Sequence, residues 1–156
     1  MLAALTAACG KKASPADEAF KLAEAIKGPV ASLQKFHKDI LPKDAKAENG
    51  LIWMRAATDA CQASRDDAER LTKLQFDPPL DAQKSLADVL RLVADSHVTA
   101  IDDHCKDSVL KAGDFFETTS KCRRACIKSW SKLVEILSKE SKQAKSNYGV
   151  DFPAID

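Results

Sequence analysis

The chain has 156 residues, with 24 basic side chains against 23 acidic ones and a hydrophobic fraction of 45%. That length makes one domain burying roughly two thirds of its unfolded surface, and the apolar fraction excludes a disordered chain. A formal net charge of +1 gives no global pull toward nucleic acid, and no apolar run approaches the ~18 residues that span a bilayer.

Glycine is scarce, at five residues, and no apolar–polar alternation appears, which excludes a sheet protein. Phosphate loops, zinc-protease helices, haem-attachment motifs and nucleophile elbows are also missing from the sequence. No paired carboxylates, nucleophile–base pair or oxyanion arrangement can be assembled from these residues. The sequence therefore predicts no catalytic residue, and the protein reads as a non-enzyme.

The chain starts Met1-Leu-Ala-Ala-Leu-Thr-Ala-Ala-Cys9-Gly10, a short apolar stretch that ends at a cysteine and turns cationic at Lys11 and Lys12. Leu5 to Gly10 resembles the lipobox of bacterial lipoprotein signal peptides. The resemblance implies lipidation at Cys9 and, with Gly rather than Asp following, anchoring at the outer membrane and a periplasmic location. Acyl chains hold a protein to a membrane by about 0.8 kcal/mol per buried methylene. Residues 1–13 are read as this signal remnant and tether, 14–147 as the folded unit and 148–156 as a tail.

Ser14-Pro15-Ala16-Asp17 is a helix start, with a capping hydroxyl, a proline suited to the first turn and an early carboxylate. Leu22, Ile26, Val30, Leu33, Phe36 and Ile40 follow at helical spacing, with a kink or brief break expected at Gly28-Pro29. The polar stretch from Pro42 to Gly50 ends this helix.

The second helix is expected from about Leu51 to Phe76. Its stripe of Trp53, Ala57, Ala60, Ser64, Ala68, Leu71 and Leu74 is rich in small side chains, and the Ser64 hydroxyl can bond back to its own helix. Asp77-Pro78-Pro79 forces a stop. A third helix begins near Leu80 with a stripe of Leu86, Leu90, Val93, His97, Ala100 and His104. Gly113 ends it, and Asp114 with Glu117 caps a fourth helix carrying Phe116, Cys122, Cys126, Trp130, Leu133 and Leu137 to about Ser146. Trp53 and Trp130 both fall on stripes as core residues. In the tail, Tyr148, Val150, Phe152 and Ile155 can fold back over one end. The fold class is all-α, an antiparallel four-helix bundle with two disulfides.

Setting Cys9 aside leaves Cys61, Cys105, Cys122 and Cys126, an even set suited to an oxidising compartment. Antiparallel register pairs Cys105 with Cys122. It leaves Cys61 nearest Cys126, offset by about 7.5 Å of rise. The alternative pairing leaves larger offsets. Both bridges read as staples, since no Cys-x-x-Cys redox motif exists.

His97 and His104 stand seven residues apart, about 10.5 Å along a helix, too far to share an ion. His104 beside Asp102, Asp103 and Cys105 forms a ligand-like cluster, but a partly buried histidine hydrogen-bonded at the bundle edge is the simpler account. No metal ligand and no cofactor are assigned.

Residues 105–146 carry ten basic and five acidic side chains, whereas 80–104 carry five acidic and two basic. Mutual attraction with two solvated faces is the simplest account. The functional one is a protein partner met by Lys121, Arg123, Arg124 and Lys128 on one side and Asp95, Asp102 and Asp103 on another. A single tyrosine and few aromatics give no stacking platform for nucleic acid.

By build the chain is similar to small helical periplasmic immunity proteins, which implies a protein-binding module blocking a toxin or effector from another bacterium. The alternative is a small-ligand or metal carrier using the bundle interior near His97 and His104.

Overall fold

A computed structural model describes residues 12–40, 49–106 and 114–153. Among these the structure is all-helical, with α1 at Pro15–Lys35, α2 at Gly50–Thr72, α3 at Lys84–Cys105 and α4 at Phe115–Tyr148. None of these helices is long and apolar enough to cross a membrane. Cys9, Gly10, Gly113 and Ile155 lie outside the described residues, as does most of the segment from Pro42 to Gly50.

α1 begins as the sequence predicts. Ser14 and Asp17 form a reciprocal capping box, satisfying two backbone donors that a helix start leaves open. The helix runs through Gly28-Pro29 without a break, although Pro29 brings no N–H to the carbonyl of Ala25. The expected interruption comes later, where the chain widens into a π-helical turn over Phe36–Ile40. Single π turns of this kind gather at functional sites.

Cross-helix contacts fix the packing. Lys21 Nζ donates to the Asp77 carbonyl and His37 meets Ser64, so α1 and α2 run antiparallel. The Arg65–Asp102 and Arg91–Leu74 contacts set α2 against α3 in the same way. Cys105 bonded to Cys122 and His97 in contact with Ser129 set α3 against α4. The helices therefore form a bundle of antiparallel neighbours.

α3 starts at Lys84 rather than near Leu80. Leu80 is buried in the core, and the backbone N–H groups of Asp81, Ala82 and Gln83 all donate to the Glu18 carboxylate of α1 at 3.1, 2.7 and 3.3 Å. A buried acid from a neighbouring helix thus holds the backbone that leads into α3, with its negative charge near the positive end of the helix dipole.

The buried stripe of α3 is Ala87, Leu90, Ala94, His97, Ile101 and Cys105. It keeps the predicted Leu90 and His97 but moves one residue along at the other positions. Small residues line the closest approach, and Leu86 and Val93 pack at its flanks. His104 consequently turns to solvent. α3 ends at Cys105, where Lys106 adopts an extended conformation.

Asp114 caps α4 through its carboxylate, accepting from the N–H groups of Phe116 and Glu117. Gly149 closes the helix at φ +69°, a left-handed conformation that favours glycine. Past it the chain folds back, burying Phe152 in the core with Val150 packed beside it. Trp53 and Trp130 are both buried, as their stripe positions require.

The core has two parts. The larger joins Leu22, Ile26, Val30, Leu33, Leu71, Leu90, Leu133 and Leu137 with Trp130 and Phe152. The smaller holds Ala60, Ile101 and all four described cysteines, Cys61, Cys105, Cys122 and Cys126. Cys105 and Cys122 form the predicted disulfide, with a Cα–Cα distance of 5.0 Å. The second predicted bridge is corrected: Cys61 and Cys126 are buried free thiols. Helix rise brought the two sulfurs to one level and into hydrogen-bond contact, but level alone does not set the approach that a sulfur–sulfur bond needs.

Candidate functional site

Between the two core parts, four polar side chains point inward from four elements. His37 comes from the π turn, Ser64 from α2, His97 from α3 and Ser129 from α4, and Cys126 lies one α4 turn from Ser129. His97 is fully buried, Ser64 likewise, and Cys126 nearly so at 1% exposure. His37 is half-buried and stacks on Trp130 with ring centroids 4.7 Å apart and planes 9° from parallel.

Hydroxyl groups carry one proton each, and that fixes the direction of the hydrogen bonds. Ser129 Oγ donates to the carbonyls of Ala125 and Cys126 at 2.9 and 3.2 Å. It therefore accepts from His97 Nδ1, with which it is in close contact. A neutral His97 protonated on Nδ1 leaves the Nε2 lone pair facing inward, where Ser64 Oγ donates to it at 2.7 Å. Ser64 in turn accepts from His37 Nε2 at 3.1 Å. Burial, with the neighbouring His37 as a second cause, pulls the His97 pKa down to about 4, so this ring stays neutral at physiological pH.

The thiol pair completes the site. The Cys126 thiol is drawn below its ordinary range, chiefly by a hydrogen bond from the Cys61 thiol and further by His37, against the opposing effect of burial. Cys61 is pushed upward by its contact with Cys126 and by burial. Cys126 is thus the sulfur that ionises first, and His37 Nε2 lies 3.9 Å from it.

One ring nitrogen from each of His37 and His97 and the sulfur of Cys126 all lie within 4.8 Å of one another. A three-coordinate ion with bonds of about 2.0–2.3 Å would hold such donors about 3.5–4 Å apart, so closure by about 1 Å brings them to ligating distance. The Nδ1–H donated by His97 to Ser129 is the outer-shell bond that orients a ligating imidazole.

The sequence places His97 and Cys126 on buried stripes, but it assigns Cys126 to a disulfide and puts His104, which is exposed, on the same stripe as His97. It did not bring His37 to His97, whose partner comes from 60 residues away. The available signal was a set of polar residues, Ser64, His97, Cys126 and Ser129, sitting on apolar stripes.

The predicted surface residues are spread over the molecule. Asp95, Asp103, Arg124 and Lys128 are exposed. Lys121 is paired with Glu117 at 2.8 Å, and Arg123 lies close enough to Cys61 to act on it electrostatically. Asp102 takes both arms of the Arg65 fork, at 2.8 and 3.2 Å, which holds its carboxyl below the ordinary range. Its ion pair turns toward α2 rather than the basic α4. A groove of about 410 Å³ between α3 and α4 is lined by Leu92, Val93, Ala100 and His104, with Lys128 and Lys132 opposite. Ser129 lines it too.

Comparison of the chain with models of protein families, with curated proteins and with solved structures finds no match.

Proposed function

We propose that this protein is a metal-binding helical bundle of the bacterial cell envelope, holding one transition-metal ion at His37, His97 and Cys126. The observation that carries the reading is the convergence of two imidazoles and one thiol inside the bundle, their donor atoms within 4.8 Å. Imidazole and thiolate are the donors that copper and zinc take up. The rest of the site serves such an ion. Ser129 fixes the His97 tautomer, Trp130 holds the His37 ring by stacking, and Cys61 donates to the Cys126 sulfur. Binding replaces the hydrogen bonds of Ser64 to the two imidazoles and requires His37 to carry its proton on Nδ1. Lipidation at Cys9 would hold the bundle at the outer membrane, and the Cys105–Cys122 disulfide suits that compartment.

Titration of the purified chain, with Cys61 and Cys126 reduced, against Zn(II), Co(II) and Cu(I) tests this reading. One bound equivalent is expected. Free metal at a hundredfold excess over Kd adds about 2.7 kcal/mol to the stability of the fold, and His37→Ala, His97→Gln and Cys126→Ser each reduce that gain. Absence of binding by all three ions, with unchanged thermal unfolding, overturns it.

A second reading is favoured by the groove between α3 and α4. Its apolar floor and its lysine rim suit a protein segment with acidic and apolar side chains, as an immunity protein or inhibitor blocking an effector would require. Capture from a periplasmic extract supports it if Lys128→Glu with Lys132→Glu abolishes retention of a partner. Recovery of no partner by the wild-type chain counts against it.

A further inference from the structure

We propose that the ion this site selects is monovalent and soft, of the Cu(I) class, and that Zn(II) is discriminated against. The inference rests on the metal-binding reading above and narrows it.

Three properties of the site point the same way. Its donors are two imidazoles and one sulfur, with no carboxylate in the cluster among the described residues, and thiolate ligands favour soft ions. There are three donors, enough for a trigonal d10 monovalent ion, whereas Zn(II) takes four ligands in a closed protein site. The protein's candidates for a fourth are the neutral Ser64 hydroxyl and the second thiol, Cys61.

Charge balance is the third and most decisive property. With one thiolate, a monovalent ion makes a neutral complex, and a divalent ion leaves a net positive charge. That charge would sit beside the fully buried His97 and Ser64, and next to Cys126 at 1% exposure, where an uncompensated ion is costly. Among the described residues, the groups facing the cluster do not offset it. Ser64, Ser129 and Trp130 are neutral. The half-buried His37, at the open edge of the cluster, provides the approach for an ion delivered by exchange.

The stack of His37 on Trp130 supplies an optical reporter. Under anaerobic conditions, the full chain is titrated with Cu(I) presented as its bicinchoninate complex, and separately with Zn(II) against a chelating competitor. Trp130 fluorescence is followed in a Trp53→Phe background. Expected are one equivalent of Cu(I), quenching of Trp130, and an affinity at least a thousandfold above that for Zn(II). Cys126→Ser and His97→Gln should each weaken Cu(I) at least a hundredfold, and Cys61→Ser less than tenfold. If His97→Gln fails to fold, as judged by helical circular dichroism, His37→Asn replaces it at a half-buried position.

Zn(II) binding within tenfold of Cu(I), through the same residues, overturns the selection of a monovalent ion while leaving the metal site standing. Equal losses in Cys61→Ser and Cys126→Ser overturn it in favour of a two-sulfur site. Failure of Cu(I) and Zn(II) alike to bind or quench removes the underlying metal reading as well.

Discussion

The two parts of the core are built on opposite terms. One is made of leucine, isoleucine, valine, alanine and tryptophan from all four helices, closed by Phe152. The other is made of alanine, isoleucine and cysteine, with the imidazole and hydroxyl network at its border. Trp53 Nε1 and Thr119 Oγ1, the buried side-chain polar atoms without a hydrogen-bond partner among the described residues, belong to helix starts near the cysteine-rich end. Apolar burial stabilises in proportion to area, whereas a buried polar network contributes only the small remainder left after its desolvation. The leucine-rich part therefore supplies the stability that lets the other part hold histidines and thiols away from water.

Truncation separates the two most sharply. Leu71 is fully buried in the larger part, and Leu71→Ala should cost about 3 kcal/mol. Urea unfolding of the metal-free protein would show it as a lower midpoint with an unchanged slope. Ser64→Ala, which takes from the buried His97 Nε2 the hydroxyl that donates to it, should cost less, about 1–2 kcal/mol. If Ser64→Ala proves as damaging as Leu71→Ala, the division between a stabilising part and a working part fails.

The disulfide is the main covalent support at the cysteine-rich end. Cys105 and Cys122 close a loop with a sequence separation of 17, for which the chain-entropy model gives about 3 kcal/mol. Cys105→Ser with Cys122→Ser should lose about that much in equilibrium unfolding. The paired replacement Cys61→Ala and Cys126→Ala should lose less and leave the helices intact, since those sulfurs are thiols in the structure. A larger loss from the thiol pair than from the disulfide would show that Cys61 and Cys126 serve the fold rather than a site.

These two regions also differed in how far they could be read in advance. Four helices, the Ser14 and Asp114 caps and the Leu22–Leu33 stripe follow from local spacing, which the chain displays directly. The Cys105–Cys122 bridge follows from counting outward from a turn, because the two residues lie close to it in sequence. The start of α3 does not follow, since the backbone leading into it is held by Glu18 from another helix. The His37–His97 encounter depends on how α1 sits against α3, a relation set by packing and by the π turn at Phe36–Ile40. Predicting Leu86, Val93, Ala100 and His104 on the α3 stripe overlooked that alanines mark the closest approach. That shift of one residue exposes His104 and brings Ala87, Ala94, Ile101 and Cys105 inside.

Acid acts on the border network before the leucines. His97 has a pKa of about 4 in the folded protein against about 6.5 when unfolded. The unfolded chain therefore binds the proton first as pH falls. Stability is full above pH 6.5, declines between 6.5 and 4, and loses nothing further from this group below that. The slope approaches 1.4 kcal/mol per pH unit, or about 2 kcal/mol lost by pH 5. Subtracting the profile of His97→Gln from that of the wild type isolates it. A difference curve that is flat from pH 6.5 to 4.5 would mean that His97 is not held neutral by its burial.

The smallest effect lies at the leucine-rich end, where Glu18 enters as a buried acid in otherwise apolar surroundings. Its carboxylate accepts from the three N–H groups just before α3 and complements the positive end of that helix dipole. Glu18→Gln keeps the volume and one accepting oxygen but removes the charge and turns an NH2 group toward those donors. A cost of about 1–2 kcal/mol is expected, with faster amide exchange at Ala82 and Gln83 and no change in exchange at Ser64 or His97. Exchange that rises across the whole of α3 would show that the helix start sets the register of the entire helix. In that case the polar network would depend on Glu18, and the separation between the two core parts would be narrower than their composition implies.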